Sequence, residues 1–124
     1  MGNISTRLSV GTGDNVLIGG FIVTGSQAKK VIVRAVGPSL GPDLPERLRD
    51  PYLEVHDSTG KTIASNDDWQ DGDRVAVLAS GVPPDDKKEP ALVLTLDAGN
   101  YTAIVRGVNN TTGVALVEVY DLDQ

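Results

Sequence analysis

Short apolar strand patterns recur along almost the whole chain, alternating cleanly with polar residues at 3–10 and apolar on both faces at 16–24, and turn residues interrupt them about every 8–12 residues. In the stretch 3–10, Ile4, Thr6, Leu8 and Val10 fall on one face and Ser5, Arg7 and Ser9 on the other. Further strand patterns cover 16–24, 30–36, 52–57, 61–65, 91–96, 101–107 and 114–121. Turn clusters lie between them, as at Asp57-Ser58-Thr59-Gly60 and Asp97-Ala98-Gly99-Asn100. The first pattern reads as a lone strand, and 16–24 with 30–36 as a hairpin. Gly19-Gly20 inside the second run predicts a bulge or a close backbone approach. Leu53 and Val55 are the expected inward pair of 52–57, which pairs back with 61–65.

Two connections break the pattern. Residues 37–51 hold Pro38, Pro42, Pro45 and Pro51. Proline lacks the ladder donor, so this is a connection, with one helical turn expected over 46–49. The acidic run 66–73 leads into a single short helix near 74–80. Asp73 is its expected cap, Val75, Leu78 and Ala79 its inward face, and Gly81 its stop. The pattern predicts one all-β domain over 1–124, a sandwich or a barrel of about eight antiparallel strands. Strand–helix alternation of the α/β kind is missing.

Composition narrows the chemistry. The chain is 40% apolar and 23% charged over 124 residues, a globular balance. No apolar run approaches the ~18 residues of a membrane helix. Cysteine is absent, which removes thiol catalysis, disulfides and cysteine–metal sites. His56 is the only histidine, so most transition-metal sites and a Ser-His-Asp engine are disfavoured. It is expected as a partly exposed strand residue. Net charge is −6, a poor match for nucleic acid or an anionic membrane. The start carries no signal-peptide pattern, so the chain reads either as cytoplasmic or as a domain from a longer secreted protein.

The acidic loop is the leading candidate site. Asn66, Asp67, Asp68, Asp71 and Asp73 offer oxygen ligands within eight residues, and Asp57 at the end of a partner strand can join them. Calcium takes six to eight such oxygens. The plainer reading is a solvated loop with Asp73 used as the cap. Trp69, the only tryptophan, either stacks on a sugar or folds back to plug one end of the sandwich. Arg7, Arg34 and Arg106 stand alone in strands. They are expected to face outward and pair with acids such as Glu54 or Glu118; the alternative is a basic stripe for an anionic glycan. Gly11-Thr12-Gly13 fails as a phosphate loop, because Val16 occupies a required glycine position and a strand follows.

Several segments together carry a resemblance: Asn3-Ile4-Ser5-Thr6-Arg7, Gly11-Thr12-Gly13-Asp14-Asn15 to Gly19-Gly20-Phe21, Arg34-Ala35-Val36-Gly37-Pro38-Ser39-Leu40, Asp50-Pro51-Tyr52-Leu53-Glu54-Val55-His56-Asp57, Ala64-Ser65-Asn66-Asp67-Asp68-Trp69, and Ala98-Gly99-Asn100-Tyr101-Thr102-Ala103-Ile104-Val105. Over nearly the whole chain they resemble an accessory domain that recurs in large secreted and cell-surface bacterial proteins. Over roughly 50–106 the chain also resembles the bacterial pre-peptidase C-terminal domain. The second resemblance implies a jelly-roll-like antiparallel β-sandwich without catalysis, binding substrate or calcium. Its calcium ligands are acids at the sandwich end, and only Asp57, Asp67 and Asp68 stand in similar stretches. The expectation is a non-catalytic module of a secreted or surface protein, acting as spacer or adhesion unit beside other domains of the same polypeptide. Calcium is the candidate cofactor, with Asp57, Asp67, Asp68, Asp71 and Asp73 as its ligands. The alternative is a carbohydrate-binding module that uses Trp69 to target polysaccharide or a cell-surface glycan. Exposed strand edges could also let copies associate.

Overall fold

The structure of the chain, a computed structural model, describes residues 4–10 by their backbone and residues 16–123 in full. Eight strands form: β1 (Ile4–Val10), β2 (Leu17–Val23), β3 (Lys29–Val36), β4 (Pro51–His56), β5 (Thr62–Asn66), β6 (Ala91–Leu96), β7 (Gly99–Gly107) and β8 (Gly113–Asp121). Among the described residues one α-helix forms, α1 (Arg74–Ala79), between β5 and β6. Two four-stranded sheets result, ordered β1-β8-β3-β6 and β2-β7-β4-β5, with every ladder antiparallel.

The pairing has a simple logic. β1 pairs with β8, β2 with β7, β3 with β6 and β4 with β5. This is one long antiparallel ribbon whose closed end is the β4–β5 hairpin. Rolling the ribbon adds the β3–β8 and β4–β7 ladders, which is the jelly-roll arrangement. The expected β2–β3 hairpin is therefore not formed. The turn at 25–28 carries the chain from one sheet to the other, because each strand finds its partner late in the sequence.

Alternate residues of each strand face the interior. Leu17, Phe21 and Val23 meet Val31, Val33, Ala35, Leu53, Val55, Ala103, Val105, Ala115, Val117 and Val119 there, all buried. The β2–β7 register runs unbroken through Gly19 and Gly20, so the glycine pair makes no bulge. Gly19 instead marks a close approach: a Cβ there would come 3.0 Å from Val117 Cγ1 of the facing sheet.

A second apolar cluster lies on the outer face of the β1-β8-β3-β6 sheet. Ile32 and Ala91 pack there with Trp69 and with Val77 of α1. Trp69 thus covers a sheet face and does not plug a sandwich end. The helix presents Val77 inward, while Val75 and Leu78 are 78% and 50% exposed. Six residues are too few for periodicity to define a face, so the contact with Ile32 and Trp69 decides it. The caps agree with expectation: the Asp73 carboxylate accepts from the Ala76 N–H at 3.2 Å, and Gly81 leaves at φ +82°. No helical turn forms at 46–49. Arg47 bridges to Val114, and Leu48 is fully buried beneath the loop.

The two connections are held by polar contacts. Arg34 Nε donates to Glu118 Oε1 at 2.7 Å, and its Nη1 reaches the Val82 carbonyl at 3.0 Å. Its guanidinium lies over the Tyr120 ring. Arg34 so pins the 82–90 segment to the sheet. Gly37, buried at the end of β3, leaves no room for a side chain, because a Cβ would stand 2.2 Å from the Leu48 carbonyl oxygen. Gly37→Ala should therefore cost roughly 3 kcal/mol by overpacking. Gly20→Ala, exposed on β2 with its nearest contact at 3.9 Å, should change stability by less than about 0.5 kcal/mol. Urea unfolding of the two variants tests this; equal losses would contradict it.

Candidate calcium site and glycan surfaces

The β4–β5 hairpin decides which acids meet. Its strands are antiparallel, with Leu53 opposite Asn66. The residue before β4 is thereby carried to those after β5. Asp50, Asp67 and Asp68 gather there, each half-buried, with ligand oxygens within 4.8 Å of one another. Asp57 stands at the other end of β4, ~20 Å away at about 3.3 Å per residue. Its Oδ1 accepts from the Thr59 N–H, the Thr59 hydroxyl and the Lys61 N–H at 2.9, 2.6 and 3.1 Å. That carboxylate locks the hairpin turn, and the Thr59 hydroxyl above all holds its pKa below the ordinary value.

Of the five acids expected as ligands, the structure brings Asp67 and Asp68 together and adds Asp50. Asp71 lies near enough to act on both electrostatically but is exposed. Asp73 is occupied as the α1 cap, and Asp57 as the turn anchor. Asn66 acts as a clasp, its Nδ2 donating to the Asp68 carbonyl and its Oδ1 accepting from the Ala91 N–H. Asp50 was hidden among the prolines of a connection. The hairpin itself was the signal that could have found it, since antiparallel pairing of 52–57 with 61–65 places residue 50 beside residues 67 and 68.

The trio is electrostatically frustrated. Asp50 Oδ1 and Asp67 Oδ1 are buried and meet no hydrogen-bond donor among the described residues. Burial first, then the Asp50 and Asp68 charges, push Asp67 up to about 6. Burial and the Asp50 charge also raise Asp68, against the pull of Lys88 and Lys87. Carboxylates this close need a proton or a cation between them. Calcium, a hard cation that takes several carboxylate oxygens, fits the set.

Trp69 offers no sugar platform. It is 6% exposed, beneath the acidic loop, and its indole N–H finds no acceptor among the described residues. His56 is a half-exposed strand residue, with Nδ1 on the Gly60 carbonyl and Nε2 near Glu54 and Thr62. Arg34 and Arg106 pair with Glu118 and Glu54, as expected, but from different sheets, so they form no common stripe. The side chain of Arg7 lies outside the described residues.

The comparisons complete this picture. The sequence matches no family model and no curated protein. Among solved structures, the fold resembles the pre-peptidase C-terminal domain of a collagenase from Bacillus anthracis. The match has a TM-score of 0.60 and 13% identity, and it covers 95% of this chain and 89% of that one. The fold is similar to that of a pre-peptidase C-terminal domain. The likeness read from sequence over 50–106 thus extends, as a fold, to nearly the whole chain.

The raised Asp67 pKa fixes the sign of a pH effect. A carboxyl easier to protonate folded than unfolded destabilises the fold above its folded pKa, and the loss is relieved as pH falls. In chelator, stability should rise from pH 7 to about pH 5. It should fall only at lower pH, where Glu54 and Asp57, both held below their ordinary values, protonate. Asp67→Asn should melt higher than the parent at pH 7 and remove the rise. Melting curves across pH test this, and a parent already most stable at pH 7 would contradict it.

Proposed function

We propose that the chain is a non-catalytic accessory module of a secreted or cell-surface protein, steadied by calcium at Asp50, Asp67 and Asp68. One observation carries the reading: Asp50 and Asp67 each bury a carboxylate oxygen that meets no donor among the described residues, in a trio whose ligand atoms lie within 4.8 Å of one another. A divalent cation relieves that repulsion without the proton that Asp67 would otherwise keep below pH 6. The fold likeness to a domain appended to a collagenase supports the accessory role.

The setting of His56 supports the absence of catalysis. A base of the Ser-His-Asp kind needs a carboxylate on one ring nitrogen and a nucleophile on the other. Here Glu54 and the Thr62 hydroxyl both approach Nε2, and Arg106 engages Glu54 at 2.9 Å. The strand order bears on the choice between spacer and adhesion unit. β1 and β8 are antiparallel neighbours, with Ile4 opposite Val119. Chain continuing before Ile4 and after Asp121 would leave from the same end of the sheet. That suits a module mounted on the side of a larger protein better than an end-to-end spacer.

Calcium at a hundredfold excess over Kd should stabilise the fold by about 2.7 kcal/mol, roughly 10 °C in melting temperature for a chain of this size. Asp50→Asn/Asp67→Asn should abolish the shift and Asp57→Asn should keep it. No shift in the parent, or a shift lost only with Asp57, would contradict the proposal.

A further inference from the structure

A chain of net charge −6 nevertheless concentrates cations in one place. Arg47 and Arg49 from the 37–50 connection, with Lys87 and Lys88 from the 82–90 connection, line a 380 Å³ cleft beside Pro38 and Asp86. The same two lysines border a 200 Å³ hollow with Asp68, Gln70 and Asp71. Lys87 and Lys88 thus stand between the arginine cleft and the acidic loop.

These cations differ from three on the strands. Arg34, Arg106 and Lys29 each have a carboxylate partner, at 2.7, 2.9 and 3.7 Å. Arg47 instead donates to the Pro38 and Leu44 carbonyls at 3.1 and 3.2 Å, and Arg49 to the Pro45 carbonyl at 3.2 Å. Backbone carbonyls orient a guanidinium without cancelling its charge. Among the described residues, no carboxylate comes within ion-pair distance of Arg47, Arg49, Lys87 or Lys88. Asp86, the one acid in the cleft, has an oxygen taken by the Lys88 N–H.

We propose that this groove binds a carboxylated polysaccharide. Guanidinium matches carboxylate in a two-pronged geometry, and the lysines extend the positive track for the next unit. At the far end Gln70, Asp68 and Asp71 supply acceptors for sugar hydroxyls. Those same carboxylates repel every anion, but they repel a polyphosphate, with its charges more closely spaced, more strongly than a glycan that carries one carboxylate per sugar and hydroxyls between. The open groove suits a chain passing through. At physiological salt the screening length is about 8 Å, so a ligand in the cleft feels the four cations and their neighbours Asp86, Asp68 and Asp71 above the acids on the rest of the chain. The inference goes beyond calcium and needs no ion.

The test is retention on immobilised polygalacturonate at 0.15 M salt in chelator, with dextran and inorganic polyphosphate matrices in parallel. Working in chelator separates failure of the groove from failure of the calcium reading. The parent should be retained on polygalacturonate alone. Arg49→Gln/Lys87→Gln/Lys88→Gln changes three exposed side chains, so it should melt like the parent and bind at least tenfold more weakly. Lys30→Gln/Lys61→Gln/Arg74→Gln removes the same charge elsewhere and should bind like the parent. No retention of the parent, equal retention of both triple variants, or retention on dextran or on polyphosphate alone would overturn the proposal.

Discussion

The carboxylate of Glu89 is fully buried, and every group it meets is a donor. Its Oε2 accepts from the Gly37 and Ser39 N–H groups, each at 2.9 Å. Its Oε1 accepts from the Ser39 hydroxyl at 2.5 Å and the Asp86 N–H at 3.2 Å. Its own carbonyl accepts from the Trp69 N–H. Burying an anion costs several kcal/mol, and only such a full set of donors offsets it. In return one residue joins three segments outside the strand ladders: its carboxylate ties the turn after β3 to the stretch before β6, and its carbonyl holds the acidic loop. Gly37 can enter this joint only because it has no Cβ to meet Leu48.

Both candidate surfaces hang on that joint. Trp69 follows Asp68 directly, so the contact to the Trp69 N–H sets where the acidic loop lies against Asp50. Pro38, held between Gly37 and Ser39, and Asp86 line the cation groove, so the same carboxylate sets the distance between Arg47 and the two lysines. The rolled ribbon supplies the frame. It brings the open end of the β4–β5 hairpin beside both long connections, and sends Asp57 to the opposite end. Acids and unmatched cations become neighbours, with Lys87 and Lys88 close enough to counter the raised pKa of Asp68.

Much of the frame was legible in the sequence. Short apolar runs bounded by turn residues located all eight strands, and where one face is left to solvent the run alternates: Leu53 and Val55 in, Glu54 and His56 out. The Asp73 cap, the Gly81 stop and the Arg34–Glu118 pairing follow from local chemistry. What failed was non-local. Residues 16–24 and 30–36 look like a hairpin, since adjacency is the default, yet each pairs with strands more than 55 residues on. The helix face failed because Val77 is chosen by Ile32 and Trp69. Asp50 and Glu89 were missed for one shared reason. Each sits in a proline-bearing connection, where no periodicity marks a buried residue, and each gains its role from segments far away in sequence.

Hydrogen exchange on Glu89→Gln tests the joint most directly. An amide in place of the carboxylate presents donors where Asp86 and Ser39 also donate. The account predicts that the Gly37, Ser39 and Asp86 amide protons are protected in the parent and exchange at least tenfold faster in the variant, while Val33 and Val117 in the strands keep their protection. Unchanged protection at Gly37, Ser39 and Asp86 would contradict it.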